Sequence, residues 1–454
     1  MMRKLALLSL IIVALTMAWA ARPGHQAQAA VAAPNTAAPC ISGMADIYPC
    51  LNVDFLAFLS LAELGAGKGV TGANLWGWTD PDTGKEYVLM GLNDATAFVD
   101  ISDPVNPVYL GSLPTHTIPA ATYRDVKVYQ DYAFIIADVP SEHGLQVFDL
   151  TQLPDVTNPP VTFSESAYFG GFGNGHNIFI DEETGYAYVA RTSQCGGALY
   201  MIDVNDPLNP TFAGCYDDDG LASDSHCVIY HGPDADYQGR EICLVSSDDA
   251  FVLGDVTDKN APVHLARLTY TDAERAHHAW FTEDQQYFVG ADMNDEHHHG
   301  FNTRIFMWDV SDLDAPLSLG YYEGPTPASD HNVWVKGDYA YVGNFRAGLR
   351  ILSLTDIANG NLTEAGYLDI YPADDNTGHE GGAWATYVYF DSGVVAVSDK
   401  EAGLYLVQSV LEPTSVQVSD FGGEPVTQSV IWLALLLVVA AAMGLLAYRK
   451  LASS

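Results

Sequence analysis

From residue 54 to residue 410, short apolar runs alternate with polar turns that contain Gly, Asp and Pro. One unit shows the grammar. His176-Asn177-Ile178-Phe179-Ile180 is followed by the turn Asp181-Glu182-Glu183-Thr184-Gly185 and by Tyr186-Ala187-Tyr188-Val189-Ala190. β-branched and aromatic residues in four- to six-residue runs predict strands, and the turn glycine sits where positive φ is cheap. A third run then closes on an acid: Tyr200-Met201-Ile202-Asp203, with Asp206-Pro207 and Pro210 behind it. The same phrase ends at Asp100, Asp255 and Asp309, more weakly at Asp149 and Ser353, and in a degenerate copy over Leu404 to Val407. Proline cannot donate to a ladder, so it ends the third strand, and a fourth run such as Thr211-Phe212-Ala213-Gly214 follows.

Four short strands in about 50 residues describe a propeller blade. The inner strands are predicted to start near Asn74, Arg124, His176, His226, His277, His331 and His379, at intervals of 48 to 54 residues. The seventh unit stops near Gln408 without a fourth strand, while an extra apolar run, Phe55 to Leu61, precedes the first. That run is predicted to complete blade seven, which closes the disc and removes two sheet edges. The expected fold is all-β: a seven-bladed β-propeller over 54–410, closed by an N-terminal strand, plus one C-terminal transmembrane helix.

The ends change the picture. Arg3-Lys4, an apolar run and A-x-A exits at 18–20 and 27–29 read as a signal peptide over 1–30. A lead-in follows over 31–53. After a linker over 411–428, an uncharged stretch runs through Val430 to Ala447, then Tyr448, Arg449 and Lys450. Eighteen helical residues span about 27 Å, close to the hydrocarbon thickness. The expectation is a membrane anchor over 429–448 and a cytoplasmic tail over 449–454, with the body exported to the cell surface. A cleavable sorting signal has the same pattern.

Nineteen basic against 57 acidic residues give a net charge of −38, which excludes a nucleic-acid partner. Six cysteines suit an oxidising compartment. Their positions suggest three local pairs: Cys40 with Cys50, Cys195 with Cys215, and Cys227 with Cys243. Without a C-x-x-C, zinc–thiolate sites are disfavoured.

Together, Gly175-His176-Asn177, Gly197 through Asp203, Gly232-Pro233-Asp234 with Gly239 through Cys243, Asp330-His331-Asn332 and Asn344 through Arg350 resemble the choice-of-anchor B family, whose repeats are called LVIVD repeats. The resemblance runs from about Cys40 to Gln408. It implies an exported propeller with a surface anchor and implies no catalytic activity. Where the family often has an acidic stretch, this chain reads Asp292-Met293-Asn294-Asp295-Glu296-His297-His298-His299.

The residues opening the inner strands are the candidate chemistry. Asn74, Arg124, His176, His226, His277, His331, His379 and Glu380 would meet at one channel mouth if every blade began at the same rim. Neutral imidazoles facing one axis, His176, His226, His277 and His331 with Asp330 beside them, would suit a divalent metal. Arg124 instead favours a carboxylate or phosphate. The competing reading is structural: a His at a blade start ties the neighbouring blade's backbone. The tract Asp292 to His299 is a second metal candidate, a weak one because ordering a loop costs entropy. G-x-S-x-G, H-E-x-x-H and P-loop motifs are absent. The expected function is a surface protein binding an extracellular ligand or envelope protein. The alternative is a metal-dependent hydrolase or lyase using the His ring.

Overall fold

The computed structural model describes residues 36–117, 121, 123–138, 142–217, 220–372 and 381–411. The expected signal peptide, membrane stretch and tail, and the residues His379 and Glu380, lie outside them.

Seven antiparallel sheets follow one another along the chain, each counted from an innermost strand outward. Those innermost strands are Gly72–Thr79, Tyr123–Tyr129, Ile178–Asp181, Ala222–Ile229, Ala276–Phe281, Val333–Lys336 and Ala383–Tyr387, for blades 1 to 7. The middle strands are buried on both faces, as Glu86–Leu92 is along its whole length, because neighbouring blades cover them. Blade 7 takes its outer strand from the N-terminal side: Val53–Ser60 pairs with Gly403–Ser409, with Val53 opposite Ser409 and Ser60 opposite Gly403. Its burial alternates strictly between buried and half-buried positions, the mark of a strand with one face on the core.

The repeated Asp is a turn device. Asp100, Asp203, Asp255 and Asp309 each accept the backbone N–H two residues on, at 2.9–3.0 Å. That turns the chain out of the third strand before the fourth begins. Just before the Asp, the register between third and fourth strands slips by one residue in blades 1, 3, 4, 5 and 6. This bulge increases local twist in the outer part of each blade.

Two additions were not foreseen. Tyr48–Leu51 and Met44–Ala45 extend blade 6 outward, with Cys50 opposite Leu368. Val161–Thr162 pairs in parallel with the outer strand of blade 1, Val108–Pro114, while Ala167–Phe169 completes blade 2. One segment thereby stitches two blades at the perimeter. The approach is close enough to require glycine: a Cβ on Gly111, whose φ is +141°, would lie 1.9 Å from the Val161 carbonyl oxygen.

All six cysteines pair as their positions suggested, Cys40–Cys50, Cys195–Cys215 and Cys227–Cys243. The last joins residues directly opposite on neighbouring strands. Three disulfides suit an oxidising, extracellular-type environment.

The expected C-terminal transmembrane helix requires correction. Among the described residues the α-helix is a five-residue turn, Asp295–His299, and no helix is long and apolar enough to cross a membrane. Over the described residues the fold class is an all-β seven-bladed propeller, and a C-terminal transmembrane helix is not supported.

Candidate functional site at the channel mouths

Backbone register sorts the axial side chains into three layers. Taking each inner-strand residue by its partner on the middle strand, one equivalent position holds Trp76, Lys127, Phe179, His226, Trp280, Trp334 and Tyr387 in blades 1 to 7. Two residues earlier stand Asn74, Asp125, Asn177, Asp224, His278, Asn332 and Ala385. One residue before those stand Ala73, Arg124, His176, Ser223, His277, His331 and Trp384.

The middle layer is a polar belt that crosses the axis. Asn74 Nδ2 donates to Asn177 Oδ1 (2.9 Å), Asn177 Nδ2 to Asp224 Oδ2 (2.8 Å) and Asn332 Nδ2 to Asn74 Oδ1 (3.3 Å). Asp125 accepts Lys127 Nζ at 3.0 Å and the Ile178 N–H of the next blade at 2.9 Å. Buried amides and carboxylates pair with one another because no water competes for them. The belt therefore separates two mouths.

At the mouth where the inner strands begin, three of the predicted histidines do meet. The rings of His176 and His277 lie 5.7 Å apart and those of His277 and His331 4.1 Å apart. His176 Nδ1 donates to Asp138 Oδ2 (2.9 Å), leaving Nε2 to accept from Arg275 Nη2 (3.4 Å). His331 Nδ1 donates to the Trp384 carbonyl (2.7 Å). Lys400 Nζ stands over the rings of Tyr123 and Trp384, 5.2 and 4.8 Å from their centroids. Arg191 binds Asp248 and Ser223.

The other predicted residues go elsewhere. His226 lies in the aromatic layer beyond the belt, stacked on Trp280 at 3.6 Å, its Nδ1 accepting the Phe281 N–H of the next blade. The blade-4 residue equivalent to His176 is Ser223, because His226 lies three residues deeper along its strand. Asn74 belongs to the belt. Arg124 is buried between blades 1 and 2, donating to the Leu92 carbonyl and bonding His143 and Gln146. Asp330 is buried near Asp295 and Glu296, and burial, with the charges of Asp295 and Asp292 adding, pushes it well above the carboxylate range. The tract 292–299 also splits. Asp292, Asp295 and Glu296 are buried, whereas His298 and His299 point outward and both bind Glu274 at 2.8 Å. Among the described residues, no group of three or more His, Cys, Asp or Glu is placed to hold a metal ion.

His278 was missed. It accepts the Val333 N–H with Nδ1 and faces Asp224 across 3.6 Å. The aromatic layer and the belt were missed as well. Their signal stands in the sequence as a recurring triplet, polar–x–aromatic: Asn74-Leu75-Trp76, Asn177-Ile178-Phe179, His278-Ala279-Trp280 and Asn332-Val333-Trp334.

Burial sets the protonation of these imidazoles. It holds His226 and His331 down at about 3, and His277 and His278 well below the ordinary value, with neighbouring cations adding to the shift in the last two. They are neutral when folded but protonate below about pH 6.5 when unfolded. At these sites the unfolded chain then binds more protons, so the stability they contribute falls as pH drops from 6.5 toward 3. Asp295 and Asp399, raised by burial to about 6, oppose this between pH 4 and 6. Asp181, Asp224 and Asp330, also raised by burial, act in the same opposing sense, so the imidazole contribution is isolated by substitution. Each buried His is expected to remove about 2 kcal/mol by pH 5. His226→Phe, which keeps the stack on Trp280, should lower proton uptake on unfolding at pH 5 by about one proton. Denaturation midpoints between pH 5 and 7 check this; an unchanged slope would refute it.

Two segments of the chain, 173–218 and 329–364, match the LVIVD repeat family model. They span blades 3 and 6. No curated protein matches the chain. Among solved structures, the crystal structure of the computationally designed Ika8 protein superposes with a TM-score of 0.45 at 10% identity, covering 74% of this chain and 82% of that one.

Proposed function

We propose that this LVIVD-repeat propeller is an exported binding protein of the choice-of-anchor B type. Its ligand is a small carboxylate- or phosphate-bearing molecule held at the mouth where the inner strands begin. The observation that carries the reading is a concentration of cations in a chain of net charge −38. Arg191, Arg275 and Lys400 gather around His176, His277 and His331, drawn from blades 3, 5, 6 and 7. Arg191 Nε and Arg275 Nε are buried without a hydrogen-bond partner. Desolvated, unpaired guanidinium donors are costly, and a planar anion satisfies them in pairs. His331 Nε2, also buried and unpartnered, adds an acceptor for a ligand hydroxyl. Proton transfer through His331 near neutrality is disfavoured, because burial holds its imidazole down at about 3.

Titration calorimetry with inorganic phosphate and with citrate tests the reading. Saturable, salt-sensitive binding is expected, weakened about tenfold or more in Arg275→Met, since charged hydrogen bonds of this kind contribute about 1.5–3 kcal/mol. Absent binding of both probes at millimolar concentration, or an Arg275→Met variant that binds them unchanged, would overturn it.

A further inference from the structure

The opposite mouth has different chemistry. On that side of the belt the inner strands end in a cavity of about 400 Å³, within the range of small-molecule pockets. Its floor is aromatic: Trp76, Phe179, His226, Trp280, Tyr387 and Tyr389. Its rim is acidic, carrying Asp181 at the end of the blade-3 inner strand, and Glu182 and Glu283 from the turns that follow the inner strands of blades 3 and 5. We propose that this mouth is a second binding site, independent of the first, and that its ligand is an organic ammonium ion such as a protonated or methylated amine.

Three observations lead to that class. The first is the electrostatics of the walls. Aromatic faces present negative potential, which a desolvated cation exploits and a neutral apolar group does not. The rim carboxylates act in the same sense, and no Lys or Arg lines the cavity. An anion would meet both the ring faces and the carboxylates as repulsion.

The second is an ammonium group already held by the same layer. Lys127, the blade-2 member, places Nζ 4.7 Å from the Trp76 centroid and 5.5 Å from that of Trp334. It lies beneath the floor and outside the cavity lining. Asp125 neutralises its charge at 3.0 Å, so it leaves little repulsion for a second cation above. Among the described residues, no Lys or Arg stands over the rings of Trp280, Tyr387 or Tyr389 in this way.

The third is the state of Trp280 and His226. Six of the seven members of the layer are buried, while Trp280 is only partly covered, so its ring reaches the cavity. His226 stacks parallel to it, 8° between planes. With Nδ1 accepting from Phe281, the ring carries its proton on Nε2 and stays neutral. A neutral imidazole in an ammonium site avoids the repulsion that a protonated one would bring. Phe179 crosses Trp280 edge to face at 5.6 Å and Trp334 does so at 4.6 Å, which fixes the indole plane. Rigid aromatic walls lose little entropy when a ligand arrives.

The probe is benzyltrimethylammonium, followed by tryptophan fluorescence and calorimetry on the purified protein. Its neutral carbon isostere, in which a tert-butyl group replaces the trimethylammonium, is titrated beside it, with glucose as a third arm. Saturable binding of the ammonium is expected, with the isostere weaker by about tenfold. Glu182→Gln combined with Glu283→Gln should weaken the ammonium several-fold and leave thermal unfolding nearly unchanged. Trp280→Leu should abolish binding and the fluorescence response together. Arg275→Met should leave ammonium binding intact, which separates failure of this site from failure of the anion site. Equal affinity for ammonium and isostere, preferential binding of glucose, or no binding to the wild-type protein would each overturn the assignment.

Discussion

Asp125→Ala is expected to destabilise the protein by about 3–5 kcal/mol, the cost of stranding a buried charge. Asp125 is fully buried and accepts four hydrogen bonds from three groups: two from Lys127 Nζ, one from the Val126 N–H at 2.8 Å and one from the Ile178 N–H at 2.9 Å. The last bond joins blade 2 to blade 3. Removing the carboxylate leaves the Lys127 ammonium, only 4% exposed, beside indole rings and without an anion. The double variant Asp125→Asn with Lys127→Met should recover more than half of the loss. The amide oxygen keeps an acceptor for one of the two N–H groups, which bond different carboxylate oxygens, and a thioether packs favourably on indole. Urea denaturation of the two variants checks this. A single substitution costing under about 1 kcal/mol, the level of an exposed pair, would show that solvent reaches the axis.

Deleting 36–61 is expected to abolish cooperative unfolding. The deletion removes Val53 and Phe55, both fully buried, and leaves Leu404, Leu406 and the blade-7 edge uncovered. It also opens the ring, because blade 7 then lacks its outer strand. Geometry supplies a rescue. Val53 lies opposite Ser409 in an antiparallel ladder, so a two-residue turn suffices to place 53–60 directly after Ser409 as a hairpin. That permutant should regain a single sharp transition by calorimetry. A deletion variant that melts normally, or a permutant that fails to fold, would contradict closure by this strand.

Much of this architecture was legible in the chain. The Asp-Pro phrase marked the third-to-fourth strand turns, and the orphan apolar run before blade 1 predicted ring closure. Even cysteine usage pointed to the three pairs. The site was legible only in part. His176, His277 and His331 do converge, but His226 was assigned to their layer because it lies at the same spacing along the chain. Spacing along a sequence is blind to strand offset: the inner strand of blade 4 begins at Ala222, so His226 is its fifth residue and lies mid-strand. The same reasoning misplaced Asp330, whose neighbour His331 faces the axis while the carboxyl is buried near Asp295 and Glu296.

By itself, then, the sequence determined the number of blades, their strand order, the closing strand and the disulfide pairs. These depend on local patterns, the two-residue alternation of strands and the stiffness of Asp and Pro in turns. Only the tertiary structure decided which side chains share a layer, that a polar belt divides the channel, and that one mouth gathers Arg191, Arg275 and Lys400 while the other is aromatic and acidic. Those properties depend on register between strands up to 258 residues apart, as in the Asn332–Asn74 bond, and a shift of one residue there turns a side chain from the axis to the blade interior.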